Sequence, residues 1–143
     1  MRLIITLILC CLVLPRASWA GDIELRIGKH RISAALADTP QSRERGLMQQ
    51  TKLCGNCGML FIFPKAGIHS FWMKNTPLPL SIAFIAADGS ILNIAEMEAN
   101  STQIHSARGK ALFALEMNKG WFAEHAIKPA DRVDGFRQTT RGK

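Results

Sequence analysis

The stretch from residue 58 to residue 85 constrains the fold most, because apolar segments there surround the polar-ended run FWMKNTP at 71–77. Three large apolar side chains lead directly into an ammonium, a carboxamide and a hydroxyl group. Burying such polar groups costs free energy unless each one has a hydrogen-bonding partner. The run therefore predicts either a structural corner whose polar groups are satisfied or the wall of a binding site.

The N-terminus has the organisation of an export signal. Arg2 precedes an apolar run at 3–14, and residues 18–20 (SWA) form a small-x-small cleavage site before Gly21. The apolar run is shorter than the roughly 20 residues that a transmembrane helix needs. We therefore predict a signal peptide at 1–20 and a periplasmic or secreted protein that does not span the membrane after cleavage. An uncleaved membrane anchor is the alternative.

Residues 21–143 are predicted to form one domain, which is long enough to bury a hydrophobic core of its own. Removing Arg2 and Arg16 with the signal leaves 16 of the 18 basic residues against 11 acidic residues, a net charge of +5. The basic residues are spread along the chain and cluster only in the tail. Nucleic-acid binding would need a basic stripe with interleaved aromatic residues, and an exported protein seldom meets nucleic acid, so this function class is set aside.

Short apolar segments separated by turn residues predict a mainly β fold. The alternating patterns at 23–27 and 32–36, on either side of a turn at Gly28, predict an N-terminal hairpin. A polar loop is expected at 49–56. Further strands are predicted at 59–63, ended by Pro64, and at 69–74, 80–86, 91–97, 111–117 and 133–136, with Asp88-Gly89 as the turn of a second hairpin.

One or two short helices complete the prediction. Thr39 followed by Pro40 is typical of a helix start, and this helix is expected to run to about Met48. Gly46 weakens this helix by roughly 1 kcal/mol relative to alanine. A glycine at such a position indicates close packing against a neighbour. Residues 121–127 are expected to form one or two helical turns. The whole is predicted to be a compact sandwich or barrel-like sheet arrangement.

Motifs that are spread over nearly all of residues 21–143 resemble those of one family. They are GLM at 46–48, GMLF at 58–61, FP at 63–64, FWMKNT at 71–76, PL at 79–80, IAFI at 82–85, DG at 88–89, ALE at 114–116, Gly120, Ile127 and DRV at 131–133. This set resembles the DUF192 family, and the FWMKNT run is long and unusual in composition. The resemblance implies a compact, mainly β domain that is often exported in bacteria, from a family without an established activity.

Two positions and one short motif depart from the family pattern. Ser81 stands where the family commonly has an aspartate after Pro-Leu, and Ala86 stands where an acidic residue often follows the IAFI strand. If a carboxylate at either position bound a metal or acted in acid–base chemistry in the family, this chain lacks it. The CGNC sequence at 54–57 is also not part of the family pattern.

Cys54 and Cys57 form the motif with the most specific chemistry. A Cys-x-x-Cys pair can lower a thiol pKa and cycle between dithiol and disulfide. Redox-active pairs place the first cysteine at a helix N-terminus, whereas this pair leads through Gly58 into a predicted strand. No second pair completes a zinc site, and export favours oxidation. A structural disulfide is therefore favoured, and a thiol–disulfide redox protein is the alternative function.

The polar residues of the 71–77 run allow two interpretations. In a strand, Trp72, Lys74 and Thr76 share one face, and Phe71, Met73 and Asn75 share the other. In the structural interpretation Asn75 and Thr76 bond backbone groups, while Lys74 lies along Trp72 with its ammonium in water. In the functional interpretation Trp72 is a stacking platform and Lys74 contacts an anion.

Glu116 interrupts the apolar segment 111–117. A carboxylate in such a place requires a cationic partner, which Lys74 or Arg108 could supply. A buried structural ion pair is favoured over a catalytic acid.

The remaining reactive side chains form no recognisable site in the sequence. The four histidines show no metal-ligand spacing, the methionines are dispersed in strand segments, and no serine has the context of a catalytic nucleophile. We therefore expect no metal, cofactor or catalytic residue. The leading hypothesis is a non-enzymatic exported domain that binds a small molecule or an envelope component at Trp72, Lys74, Asn75, Thr76 and Glu116.

Overall fold

The computed structural model describes residues 23–136, so the predicted signal peptide at 1–20 and the basic tail lie outside the described residues. None of the helices in the described part is long and apolar enough to cross a membrane. The described chain contains nine strands and two short helices: β1 (Ile23–Ile27), β2 (His30–Ala37), α1 (Pro40–Arg45), β3 (Cys57–Gly67), β4 (Ser70–Phe71), β5 (Leu80–Ala86), β6 (Ile91–Met97), β7 (His105–Ser106), β8 (Ala111–Asn118), α2 (Trp121–Glu124) and β9 (Val133–Asp134). The prediction of a mainly β fold with one or two short helices is confirmed.

Seven strands form one sheet in the order β6-β5-β8-β3-β2-β1-β9, and β4 pairs with β7 in a separate two-stranded ribbon. Only the β2–β3 pair is parallel among these described strands. The sheet curls so that its two edges approach each other, and an antiparallel bridge joins Ser90 to Arg132. Curling hides part of the unpaired edges of an open sheet. The arrangement is therefore barrel-like, as predicted.

Both predicted hairpins are present. β1 and β2 pair from Ile27–His30 to Ile23–Ala34, and Gly28 turns the chain with φ = 56°. In the second hairpin Gly89 has φ = 91°, and the Asp88 carboxylate accepts bonds from the backbone and hydroxyl of Ser90. Each turn needs a residue that tolerates positive φ at low cost, which glycine does.

The first helix begins as predicted but ends earlier. Thr39 and Ser42 form a reciprocal capping box, and the helix stops at Arg45 rather than near Met48. Gly46 adopts φ = 47°, and a Cβ there would lie 3.3 Å from the Phe61 ring. The expected close packing of Gly46 is confirmed, and its positive φ is what ends the helix.

Pro64 does not end the third strand, contrary to the prediction, because β3 continues to Gly67. The pairing of β3 with β8 has an irregularity between Ile62 and Gly67. Proline cannot donate a hydrogen bond to a ladder, but no ladder bond is required at a bulge. The residue is therefore accommodated where the strand bends.

The segment 69–74 is also shorter as a strand than predicted, since only Ser70–Phe71 is extended and paired. The backbone amide of Met73 bonds the carbonyl of Ser101, and the amide of Thr76 turns back to the carbonyl of Met73. These bonds replace the continuation of a strand with a corner. The strands predicted at 80–86, 91–97 and 111–117 are confirmed, and the closing segment pairs with β1 through Val133–Asp134.

Candidate functional site

All five residues predicted to bind a ligand line one open cavity of about 740 Å³. We call it the Glu116 cavity. Helix α1 and the residues after it form one side, the aromatic side chains of β3 and β4 form a second, and the 72–76 corner forms a third. Its lining residues are Gln41, Arg43–Met48, Phe61, Phe63, His69–Trp72, Lys74–Thr76 and Glu116.

Glu116 lies in β8, near the centre of the large sheet. It stands opposite Met59 of β3 and Ile82 of β5, and directly opposed residues share one face of a sheet. The residue is only 4% exposed. Withdrawal from water among apolar neighbours disfavours the charged form, and it raises the pKa of the Glu116 carboxyl to about 8.

The ion pair predicted for Glu116 is absent, so that prediction is wrong. The ion pairs within residues 23–136 join Arg31 to Glu24, Lys119 to Glu98 and Arg132 to Asp134. Nor does the Glu116 side chain form a hydrogen bond with any described residue. Lys74 instead extends over Trp72, and Arg108 is exposed beyond β7. The Glu116 carboxyl therefore lines the cavity without an ion pair or hydrogen bond to any described residue.

The corner at 71–76 distributes its side chains differently from a strand. Trp72, Lys74 and Asn75 are exposed, whereas Met73 and Thr76 are buried. The predicted division into two alternating faces is wrong, because the strand ends at Phe71 and Asn75 adopts φ = 57°. A left-handed residue rotates the chain direction and places Lys74 and Asn75 side by side in solvent.

The structural interpretation of this corner holds for Thr76 but not for the Asn75 side chain. The Thr76 hydroxyl donates to the carbonyl of Lys74 at 3.3 Å. The backbone carbonyl of Asn75 accepts the Gln49 amide at 2.8 Å, which fixes the corner against the segment after α1. The Asn75 carboxamide forms no hydrogen bond within the described residues. It is available at the cavity rim.

Trp72 and Lys74 form a cation–π pair at the rim. The Lys74 ammonium lies 5.3 Å from the centroid of the Trp72 ring, and Trp72 is 46% exposed. The position of Lys74 along the indole is the one expected from the sequence. The Lys74 ammonium thus occupies one face of the indole. The pair presents a flat ring and a positive charge side by side to solvent.

Aromatic rings form the wall between Glu116 and the rim. Phe61 and Phe71 pack edge to face with centroids 4.8 Å apart, while Phe63 and His69 stack at 3.5 Å with nearly parallel planes. Arg43 is fixed beside Phe63 because its guanidinium donates to the carbonyl of Ile62 at 2.9 Å. These contacts make the wall a preformed surface.

Sequence reasoning missed the α1 side of the cavity and the Phe63–His69 pair. Arg43 and Arg45 are the basic residues of the last helical turn, a pattern that is usual for a solvent-exposed helix end. Nothing in that pattern indicates that the helix faces the 71–76 corner. The only local signal was Gly46, whose packing on Phe61 brings the helix end to the aromatic wall.

Cys54 and Cys57 are joined in a disulfide, as predicted. The Cys57 amide bonds the carbonyl of Cys54, and the Asn118 carboxamide donates to the same carbonyl at 2.9 Å. Neither cysteine lines the Glu116 cavity. Cys54 borders a separate hollow of about 410 Å³ beside β1 and β2. The disulfide and the predicted ligand-binding residues are thus distinct features.

Ser81, the residue that departs from the family pattern, has a structural setting. Its hydroxyl donates to the Glu96 carboxylate at 2.7 Å and accepts the Gly120 amide at 2.8 Å. The Glu96 carboxylate also accepts the Gly120 amide at 3.1 Å. Glu96 therefore supplies a carboxylate at this place, where it binds the backbone before α2.

Histidines gather at another end of the molecule. His125 stacks on Trp121 at 4.2 Å and contacts His30 edge to face at 4.6 Å. Partial burial, the nearby His125 and the nearby Lys29 lower the pKa of His30. Across the described residues, no group of three or more His, Cys, Asp or Glu side chains is arranged to hold a metal ion.

Comparison with known proteins places this chain among relatives without a known activity. A crystal structure of a proposed transcription regulator from Sinorhizobium meliloti 1021 is 34% identical, with a TM-score of 0.76, over 85% of this chain and 98% of that chain. A protein of unknown function from Novosphingobium aromaticivorans DSM 12444 is 33% identical, with a TM-score of 0.72, over 79% of this chain and 83% of that chain. Among curated proteins, none matches.

The DUF192 family profile, described as an uncharacterized ACR, matches residues 23–135, which include every strand of the curled sheet. The match agrees with the motifs noted in the sequence, from GLM at 46–48 to DRV at 131–133. The chain belongs to the DUF192 family.

Proposed function

We propose that this DUF192 protein binds a small molecule in the Glu116 cavity. The observation that carries the proposal is the state of Glu116, which is 4% exposed, has no partner among the described residues and lines an open cavity. The carboxyl oxygens of Glu116 are not among the fully enclosed unpaired atoms of the described residues, so they open onto the cavity. A ligand in the cavity can therefore form a hydrogen bond with this carboxyl, and such a bond to a buried group contributes more than one at the surface.

The charges of the lining favour an anionic ligand. Arg43, Arg45 and Lys74 are cationic, and Glu44 is the acidic residue that opposes them at the rim. With its raised pKa, Glu116 is mostly uncharged near neutral pH and can donate a hydrogen bond from its carboxyl. An anion such as a carboxylate or phosphate ester accepts hydrogen bonds and is attracted by the rim cations.

The aromatic wall favours a ligand with a flat ring. Trp72 is exposed at the rim, and the rings of Phe63 and Phe71 face the same cavity. Aromatic contacts contribute about 0.5–1.5 kcal/mol beyond the area they bury. We therefore infer a ring compound with one anionic group, held by stacking at Trp72 and by charge at Lys74.

Binding is favoured over catalysis by the bonding of the side chains around the cavity. Ser70 lines the cavity, and its hydroxyl pairs with the hydroxyl of Ser106 at 2.8 Å rather than with a base. His69 lines it as well and bonds the carbonyl of Lys65 through Nε2. An activated nucleophile needs a neighbouring base within hydrogen-bond reach.

Three benzene derivatives of similar size test the ligand class. Benzoate, benzamide and benzylamine are titrated into ¹⁵N-labelled protein, with the indole signal of Trp72 and the melting temperature as readouts. We expect benzoate to shift the Trp72 signal at the lowest concentration. Lys74→Ala should weaken benzoate binding up to about fivefold, since an exposed ion pair contributes about 0.2–1 kcal/mol.

Matched variants separate binding from folding. Trp72→Ala together with Lys74→Ala should remove the benzoate-dependent rise in melting temperature while the ligand-free protein stays folded. Lys52→Ala, an exposed cation of the 49–56 loop that does not line the cavity, is the control. If no probe perturbs Trp72, or if the double variant simply unfolds, the cluster is structural and the proposal is wrong.

We also propose that the protein is exported and cleaved, which would place this cavity in the bacterial envelope. The sequence 18–20 (SWA) supports cleavage before Gly21. Fractionation of an expressing bacterium followed by intact-mass measurement should find a periplasmic species that begins at Gly21. A cytoplasmic species that retains residues 1–20 would contradict the proposal.

A further inference from the structure

The ribbon of β4 and β7 carries an exposed apolar face. The large hydrophobic side chains that the described residues expose are Ile68 at 64%, Trp72 at 46% and Ile104 at 59%. Exposure alternates along the two segments that contain these strands: residues 68, 70 and 72 are exposed in one and 104, 106 and 108 in the other, while the residues between them are buried or half-buried. One face of the ribbon therefore gathers all three.

Strand pairing places these side chains next to each other. Ser70 stands opposite Ser106, and Phe71 opposite His105. Trp72 and Ile104 are the residues that directly adjoin the last pair of the ribbon, and both are exposed. We call this surface the ribbon face; it consists of Ile68, Ser70, Trp72, Ile104, Ser106 and Arg108.

The two segments that form the ribbon carry charge of one sign. Segments 63–76 and 100–111 contain Lys65, Lys74, Arg108 and Lys110, and neither segment contains an aspartate or glutamate. All four cations are exposed. A surface that combines apolar side chains with several exposed cations is complementary to a membrane, whose interior is apolar and whose surface can be anionic.

The polar groups of the ribbon face offer little for specific hydrogen bonding. The Ser70 and Ser106 hydroxyls lie 2.8 Å apart and bond each other. The Lys74 ammonium lies above the Trp72 ring. What remains for a partner is apolar area and diffuse positive charge, whereas a protein interface would also be fixed by about one directed hydrogen bond per 100–200 Å².

We propose that the ribbon face docks the protein on the surface of an anionic lipid membrane. Ile68 and Ile104 would enter the boundary between headgroups and acyl chains, and Trp72 would lie at headgroup level, where indole rings are enriched. The four cations would face the lipid phosphates. Since Ser70, Phe71 and Trp72 also line the Glu116 cavity, docking would place the mouth of this cavity near the membrane.

Vesicle flotation tests the proposal with the protein as it is isolated after export, its N-terminus determined by mass spectrometry. The vesicles are phosphatidylcholine alone or an equimolar mixture of phosphatidylcholine and phosphatidylglycerol. We expect flotation with the mixed vesicles, and much weaker flotation with the neutral ones or at high salt, because a surface potential is screened within a Debye length.

Variants outside the cavity lining keep this test independent of ligand binding. Ile68→Ser with Ile104→Ser should lower partitioning by tenfold or more, on the order expected for two aliphatic side chains. Arg108→Ala should lower it about fivefold. The control is Arg26→Ala, which removes an exposed cation on β1. All variants should respond to benzoate like the parent protein.

Three results would overturn the proposal. One is equal flotation with neutral and anionic vesicles. Another is flotation that the Ile68 and Ile104 substitutions leave unchanged. The third is a failure to float combined with tight binding to duplex DNA or to an acidic protein, which would assign the ribbon face to a different anionic partner. None of these results would bear on the Glu116 cavity itself.

Discussion

Glu116 stands directly opposite Met59 in the β3–β8 pair, and no charged side chain comes within ion-pair distance of it among the described residues. Apolar residues flank it on both neighbouring strands. Ionisation of a carboxyl in these apolar surroundings lowers the free energy of unfolding. This relationship gives the cavity its chemistry, and it also couples the stability of the protein to pH.

Glu116→Gln should remove a pH-dependent loss of stability. The pKa of Glu116 is about 8 in the folded protein and 4.5 as its reference value, so the folded state binds the proton more tightly. Stability is therefore full below about pH 4.5 and falls as the pH rises towards about 8, by about 1.4 kcal/mol for each pKa unit between the two states.

Urea denaturation at pH 5, 7 and 9 measures this effect as the difference between parent protein and Glu116→Gln. The other charged groups that face the cavity contribute to both proteins and cancel in the difference: Arg43, Glu44, Arg45, His69 and Lys74. We expect the glutamine variant to gain stability relative to the parent as the pH rises. A difference that does not depend on pH would show that the carboxyl is ionised throughout.

Gly58→Ala should destabilise the fold strongly, because Gly58 lies where β3 passes β8. A Cβ there would lie 2.5 Å from the carbonyl oxygen of Glu116 and 2.5 Å from the sulfur of Met117. Backbone atoms in the middle of a sheet cannot move aside without breaking ladder bonds. Overpacking of this kind costs about 1–3 kcal/mol or more.

Gly55→Ala is the matched control for Gly58→Ala. Gly55 lies three residues earlier, in the turn before β3, and a Cβ there would meet nothing within 4 Å. Its denaturation midpoint should stay close to that of the parent. Equal denaturation midpoints for the two alanine variants would mean that β3 and β8 lie further apart at Gly58 than the structure shows.

The elements predicted correctly from the sequence are those whose signals are local. The alternation at 23–27 and the turn at Asp88-Gly89 act over a few residues, and both hairpins formed as expected. The start of α1 follows from Thr39 and Pro40 alone, through a capping box that closes within four residues.

The errors arise where a distant partner decides the outcome. The predicted strand 69–74 stops at Phe71 because the Met73 amide bonds Ser101, and the Asn100 amide bonds the carbonyl of Thr76. A pattern within the segment 69–74 carries no information about either bond. The ion pair expected for Glu116 fails for a local reason instead, because Lys74 lies over Trp72, two residues away, which one interpretation of the sequence already expected.

Gly46→Ala should lower stability and disturb the aromatic wall. Gly46 has φ = 47°, a sparsely populated region that costs an alanine on the order of 1–3 kcal/mol, and the added Cβ would lie 3.3 Å from the Phe61 ring. Gly28→Ala is the matched control, because Gly28 also has positive φ (56°) but no atom within 4 Å of the added carbon. We expect a larger loss for Gly46→Ala, together with weaker benzoate binding. Equal losses without a binding change would show that the ring contact is unimportant.

Replacing both cysteines with serine should cost little stability and leave ligand binding intact. The disulfide closes a loop of only a few residues, so its stabilisation should fall below the typical 2–4 kcal/mol. Neither Cys54 nor Cys57 lines the Glu116 cavity, so benzoate should shift the Trp72 signal as in the parent. Denaturation and NMR titration of the double variant check both expectations, and equilibration of the parent in glutathione buffers gives the reduction potential. A potential below about −300 mV is expected for a structural bond, whereas a value near those of the thiol–disulfide oxidoreductases would favour a redox role for this pair.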